Sequence, residues 1–495
     1  MMEQCRRPAL FASAVILAVA GCASPPVESG FEDVQRLTGN RIEQRIEWRR
    51  GDQPDDDLDE AIQELLRHPL SVDAAVQIAL LENRSIQAAY ENLGVSQAEV
   101  VQAGLLRNPV FAVSGRFADR APRGTNLEIG VVQDFFDVLV RPARRDLARA
   151  DFERVKQEVA ASIVAFAGDV ASAYYEALGA QQVVAVRGLV MEAAEASAEL
   201  ARRLHAAGNI SDLQLAHEQV LHEDTRVALA RAEAAAAVAR ERLTGLMGLW
   251  RPEHLDWTLP DRLPDLPEGE AGAAHLEALA VDQRLDLQAA AAQIEVAADS
   301  LGITVDWRRL QLLDVGLSGE RDTDNQGVIG PNIALELPIF DDGEARIALR
   351  EAELRQAMQE YAALATHIRS EVRALREALL AARRISEHYR SVVIPLREAQ
   401  VEYTQQEFNY MLVGAFELVM AKQAEYDAYE AYAGSMRDYW VGRAGLEAAV
   451  GGRLPGDALE GVMPLGPATP PSEPEGGTPL PDPMSGHDQH TGHGG

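Results

Sequence analysis

Asn332-Ile333-Ala334-Leu335-Glu336-Leu337-Pro338-Ile339-Phe340-Asp341-Asp342-Gly343 lies at the head of residues 327–413, the stretch around which the chain is organised. Ile333, Leu335 and Leu337 alternate with Asn332, Ala334 and Glu336, the period of a strand with one apolar and one wet face. Pro338 ends the strand and Asp341-Asp342-Gly343 turns it into a helix. From Leu354 onward, apolar or small residues recur at Met358, Tyr361, Ala365, Ile368, Val372, Leu375, Leu379 and Ala382. Spacing that alternates four and three is a heptad seam, so this helix packs against neighbouring helices. From Glu344 to Met411 it would run roughly 100 Å, with a kink expected at Pro395.

The same series occurs about 204 positions upstream, where Leu127, Ile129 and Val131 alternate with Glu128, Gly130 and Val132 and Phe135-Phe136-Asp137 follows. A long helix is expected there from Pro142 to Ala206. The reversal Gly208-Asn209-Ile210-Ser211-Asp212-Leu213 lines up with Val413-Gly414-Ala415-Phe416-Glu417-Leu418, and Leu246-Met247-Gly248 with Ala449-Val450-Gly451. An offset held across strand, turn and helix marks an internal duplication.

The chain has 495 residues, 47% of them hydrophobic but only 5% aromatic, a composition for close-packed Ala-rich helices rather than one deep core. Its formal net charge of −31 speaks against nucleic acid and anionic lipid surfaces as partners. Acidic faces lining a cation path fit that charge, and so does a solvated acidic surface.

Arg6 and Arg7 precede the apolar run Leu10 to Ala20, too short to span a bilayer, which reads as a secretory signal. The run ends at Val19-Ala20-Gly21-Cys22, which resembles the bacterial lipobox, with cleavage before Cys22 and lipid attached to it. Ala23, in place of Asp, resembles the pattern of lipoproteins passed on to the outer membrane. The competing reading is an ordinary signal with Cys22 incidental. Cys5 would leave with the signal, so the mature chain would contain no intrachain disulfide.

These signals divide the chain into a signal peptide (1–21), a lipid-anchored extended tether (22–70), a first repeat (71–250, β-hairpin at 109–136), a Pro-rich connector on the outside of the helices (251–271), a second repeat (272–452, β-hairpin at 311–340) and a disordered His-containing tail (453–495). Ser71 is placed to N-cap the first repeat. In the hairpins Phe111, Val113 and Phe117 oppose Ser114 and Arg116, and Leu313, Val315 and Leu317 oppose Asp314, Gly316 and Ser318. Strands of about ten residues suit a tilted crossing in a membrane barrel, and also a soluble two-layer domain. Four strands cannot close a barrel, and lipid does not tolerate an open edge, so a membrane sheet would require several chains.

The repeated order of helix, strand, strand, long helix, turn and helix, with Pro338-Ile339-Phe340-Asp341 and its counterpart Phe135-Phe136-Asp137, resembles the TolC-like outer-membrane factors over about residues 70–452. The resemblance implies a mainly α fold with a small β part: long antiparallel helical hairpins forming an α-barrel and four membrane strands per chain, twelve in a homotrimer. It further implies outer-membrane lipid around the sheet, and a periplasmic adaptor and an inner-membrane RND-type pump meeting the turns at Gly208, Asn209, Ile210, Val413, Gly414 and Ala415. It makes Glu417 a residue of the periplasmic gate and Asp212 its first-repeat counterpart. A carboxylate stabilised by a helix N-terminus is the plainer role for either. Met420, one turn beyond Glu417, is read as packing.

His487, His490 and His493, among Gly and Asp near the end of the chain, have a composition that binds copper or zinc, or that forms an inert solvated end. With the lipid anchor, they lean toward the heavy-metal branch resembling CusC and CzcC. The chain lacks a phosphate loop, HExxH, nucleophile elbow or CxxC, so neither catalysis nor a resident cofactor is expected. A lipid-anchored periplasmic adaptor or coiled-coil scaffold is the alternative, although an adaptor would carry one helical hairpin in a β-rich domain. A soluble metal-binding lipoprotein would require grouped histidines, and His205, His217 and His222 lack a carboxylate-metal pattern.

Overall fold

A computed structural model of the chain describes residues 30–49, 56–117, 119, 125–251, 254–268, 275–308 and 313–454. The signal peptide, Cys22, and the tail with His487, His490 and His493 lie outside the described residues. The first repeat begins with α3 (Val72–Glu82) and α4 (Arg84–Gly104), then β1 (Val110–Phe117), β2 (Thr125–Asp134), α5 (Phe135–Ala206) and α6 (Asp212–Met247). The second follows the same order with α7 (Leu276–Gln283), α8 (Leu285–Asp306), β3 (Leu313–Arg321), β4 (Gly327–Leu335), α9 (Glu344–His388), α10 (Ile394–Asn409) and α11 (Ala415–Val450).

Ser71 caps α3 by accepting the Ala74 N–H at 3.1 Å. Asn83 breaks α3 from α4, accepting from Ser85 N–H at 2.8 Å and donating through its amide to the Leu246 carbonyl at 2.9 Å. The end of α6 is thereby fastened to the corner between α3 and α4. Gly248, at φ 72°, makes the close approach there: a Cβ on it would stand 2.9 Å from the Asn83 backbone. The second repeat builds the same joint, with Gly451 at φ 91° against the Arg284 backbone and the Arg284 guanidinium donating to the Ala449 carbonyl at 3.3 Å.

α5 starts at Phe135 rather than Pro142, because Asp134 caps it through the Asp137 N–H at 3.1 Å. Pro142 is the eighth residue of the helix, so the ladder there forgoes the hydrogen bond that an N–H would make to the Val138 carbonyl. At 72 residues α5 is roughly 110 Å long. The second long helix is divided: residues Tyr389–Val393 form a π-helical turn just before Pro395. Proline cannot donate to the ladder and its ring crowds the carbonyl four residues earlier, so the helix widens by one residue instead of continuing in register. In the heptad seam Ile368, Val372, Leu379 and Ala382 are buried, whereas Met358 stays half exposed.

β1 to β4 form one antiparallel sheet in the order β1-β2-β3-β4, so the hairpins of the two repeats join through β2 and β3. The register sets Phe111 opposite Val131, Val131 opposite Leu317 and Val315 opposite Ile333, which makes one face largely apolar, with Gln133 and Arg321 towards its two ends. β4 ends at Leu335, short of Pro338.

The extended tether expected over 22–70 is corrected where it is described. Residues Phe31–Gly39 form helix α1 and Asp56–Leu66 form α2. Val34 and Ile62 are fully buried, Phe31, Trp48 and Tyr90 cluster edge to face or tilted, and Trp48 Nε1 donates to Glu91 at 3.0 Å. Single apolar residues three or four apart were enough to dock a segment whose average polarity suggested a solvated strap. The connector also sinks inward: Trp257 and Leu263 are buried, and Arg240 stacks 3.8 Å over the Trp257 ring.

Lys156 Nζ pairs with Asp33 at 2.5 Å and fastens α1 to α5. The Lys156 hydrogen bond holds the Asp33 carboxyl below its ordinary value against the opposing effect of burial. The folded value is depressed, so this contribution is complete above about pH 4 and fades as pH falls through the lowered value. Acidification below pH 4, or Lys156→Met at neutral pH, should therefore speed hydrogen exchange in α1 before the rest of the body. Gly248→Ala should destabilise by about 2–4 kcal/mol, read as a lower thermal midpoint, because the left-handed backbone and the Asn83 contact both oppose a side chain.

Candidate functional site

Two regions combine exposed chemistry with defined geometry: the sheet and the two hairpin turns. On the sheet the apolar face is bare. Phe117 is 82% exposed and Ile329 78%, and Phe111, Val113, Leu317 and Ile333 are all more than half exposed. An apolar surface of this kind marks a lipid or protein contact. The edges β1 and β4 have no strand beside them among the described residues. The other face is polar, with Ser114, Arg116, Asn126, Glu128, Ser318 and Glu320, and Arg116 lies 3.4 Å from Glu128. No helix among the described residues is long and apolar enough to cross a membrane.

The two turns close alike. In the first, Gly208 at φ 74° receives the chain, its N–H donates to the His205 carbonyl at 2.9 Å, and Asn209 N–H to Leu204 at 2.8 Å. In the second, Met411 at φ 58° occupies that place, donating to Phe408 at 2.9 Å, with Leu412 N–H to Glu407 at 2.9 Å. This pairing of six-residue closures satisfies the last carbonyls of each helix. Asn209 and Ile210 lead to Ser211, which caps α6 in a capping box with Gln214. Val413 leads to Gly414, which caps α11 without a side chain, and Ala415 begins that helix.

Counting from the caps corrects the correspondence read from the sequence. Gln214 and Glu417 are both the third residue after their cap, whereas Asp212 is the first and corresponds to Ala415. The Glu417 carboxylate reaches back to its cap, within 2.8 Å of where a Gly414 Cβ would stand, as an acidic residue at that position does. Asp212 is instead bound by His205, Nε2 to Oδ1 at 2.6 Å, and His222 Nδ1 lies 3.2 Å from Glu223. Two of the three histidines thus do have carboxylate partners, a pairing that sequence spacing concealed. No group of three His, Cys, Asp or Glu is arranged to hold a metal among the described residues. Met420, expected to pack, is 58% exposed, and Tyr410, Met411 and Leu412 are exposed as well.

The described chain thus combines an open four-stranded sheet with two long helical hairpins. The family model "Outer membrane efflux protein" matches residues 75–249. The chain is 27% identical to the cobalt-zinc-cadmium resistance protein CzcC of Cupriavidus metallidurans over 60% of its length and 69% of that protein. It is 28% identical to protein CyaE of Bordetella pertussis over 59% of its length and 66% of that protein. Among solved structures, CusC superposes with a TM-score of 0.63 at 16% identity, covering 77% of this chain and 92% of that one. VceC from Vibrio cholerae gives 0.62 at 16% identity, covering 77% and 96%. Residues 75–249 thus match the outer membrane efflux protein family, and the fold is that of CusC and VceC.

Met411 is held in a conformation that L side chains adopt at a cost of about 1 kcal/mol. Met411→Gly should relieve it and slow hydrogen exchange at the Met411 and Leu412 amides.

Proposed function

We propose that three copies of this chain complete a twelve-strand barrel in the outer membrane and a helical tunnel below it, the exit duct of a tripartite efflux system. The observation that carries this reading is the four-stranded sheet with two unpaired edges and an apolar face: in lipid, unpaired backbone groups are satisfied only by closure, and one chain supplies too few strands. A periplasmic adaptor docks at the turns around Gly208, Asn209, Ile210, Val413, Gly414 and Ala415, and an RND-type pump feeds the duct. Tyr410, Met411 and Leu412 give the second turn the exposed apolar surface that such docking uses.

Cleavage before Cys22 and lipidation there anchor the chain to the outer membrane, and α1 and α2 fasten the segment that follows. Glu417 contributes to a ring of three carboxylates at the gate, with Asp212 near the other turn. Like charges brought close repel, so a bound cation or proton favours closure. The cargo is a divalent heavy-metal cation, a choice supported by the likeness to a cobalt-zinc-cadmium resistance protein, and His487, His490 and His493 associate with copper or zinc.

Detergent-extracted protein should migrate as a trimer that boiling converts to monomer. A water-soluble monomer would sink the proposal. A deletion strain should become sensitive to cobalt, zinc or cadmium while retaining resistance to hydrophobic drugs. The opposite pattern would move the cargo to drugs and leave the duct intact.

A further inference from the structure

The two repeats are copies, so the seam where they meet inside the sheet is a pattern for the seam that its edges lack. β2 recurs as β4, Val131 as Leu335. Phe111 pairs with Val131 and Leu313 with Leu335, so β1 recurs as β3, Phe111 as Leu313. The copies nevertheless end differently. β2 runs to Asp134, past Val132 where β1 stops pairing, because β3 holds Gln133 and Asp134 from the other side. β4 stops at Leu335, the last residue that β3 pairs, and has no strand on its other side among the described residues. Residues 336–338, the counterparts of 132–134, still carry a strand's pattern: Glu336 is exposed, and Leu337, 66% exposed, continues the apolar alternation of Ile333 and Leu335.

We propose that residues 336–338 become strand only when a second copy arrives, β4 pairing antiparallel with β1 of that copy in the register that β2 keeps with β3. Gln133 opposite Val315 becomes Leu337 opposite Val113 of the next copy, Val132 opposite Gly316 becomes Glu336 opposite Ser114, and Val131 opposite Leu317 becomes Leu335 opposite Gly115. Pro338, with no N–H to offer, ends the added ladder where Asp134 ends β2. A slip of one residue would turn Leu335 and Leu337 onto the face of Ser114 and Arg116, so the alternation forbids it. A slip of two keeps the faces but displaces the neighbour by about 7 Å along the strand, and repeats that lead into equivalent helices stay level around a ring only if each seam copies the inner one. The contacts suit this register. A Cβ on Gly115 would meet nothing within 4 Å, so Leu335 has room over it, as Ile129 and Ile329 lie opposite Gly319. Glu336 comes diagonal to Arg116, within reach of its opposite charge. The second copy is supplied by the duct reading, on which this proposal rests; the register and the added strand are not.

The test is cysteine cross-linking of the full-length protein extracted in detergent. Directly opposed residues of antiparallel strands have Cα atoms about 4.5–5.5 Å apart, within disulfide reach, whereas diagonal neighbours stand about 7–8 Å apart. After mild oxidation, Val113→Cys with Leu337→Cys and Ser114→Cys with Glu336→Cys should each give covalent dimers and trimers on boiled, non-reducing gels. The yield should exceed at least tenfold that of the slipped pairs, Phe111→Cys with Leu337→Cys and Gly115→Cys with Leu337→Cys, and each single variant should give none. Preferential cross-linking of a slipped pair, or no cross-linking in complexes that run as trimers before boiling, overturns the register and leaves the duct standing. Protein that is monomeric before boiling overturns both. Hydrogen exchange needs no variant and carries the test if the cysteine pairs do not assemble. In the unmodified trimer at least one of the Glu336 and Leu337 amides should be protected at least tenfold more than the Asp324 amide in the turn after β3; equal protection overturns the added strand.

Discussion

An unpaired strand edge governs this molecule. Among the described residues a sheet of four strands presents two rows of N–H and C=O groups, at β1 and β4, beside an exposed apolar face, and lipid tolerates no such open edge. On the channel reading, identical neighbours supply the strands that those two edges lack. The strands are joined to helices far longer than a globular core needs, so a small sheet at one end is continuous with a helical framework.

The duplication acquires physical meaning at the joints. Asn83 with Gly248, and Arg284 with Gly451, solve one problem twice with different side chains: holding the end of a returning helix against the corner where its repeat begins. The backbone demand, a left-handed glycine under a close approach, is the same in both copies, whereas the polar clasp is free to vary. The turns diverge in the same way. Glycine fills the left-handed position in one and Met411 in the other, and a capping box in one is replaced by a bare Gly414 with Glu417 folded back in the other.

The N-terminal segment and the connector add a second layer around this framework. Val34, Ile62 and Trp257 bury fully or nearly so, and the Lys156 to Asp33 pair adds a charged fastening. Chain leading from the proposed lipid anchor is thereby coupled to the helices instead of hanging from them. On the channel reading, a pull at the membrane is transmitted to α5.

The sequence by itself determined the elements and their repetition. Alternation at Ile333, Leu335 and Leu337, the heptads after Leu354 and the echo about 204 residues earlier are local periodicities, and local periodicity is what strands and helices read directly. It also located the two turns, since their glycines and caps are local signals. Only the tertiary structure decided that the two hairpins share one sheet through β2 and β3, that Glu128 faces Glu320, that His205 holds Asp212 and that Glu417 corresponds to Gln214. Those facts depend on contacts between residues distant along the chain or on a register shift of one or two positions within a turn. Sparse apolar residues such as Val34 and Ile62 acquire their burial only from the surface that other elements provide.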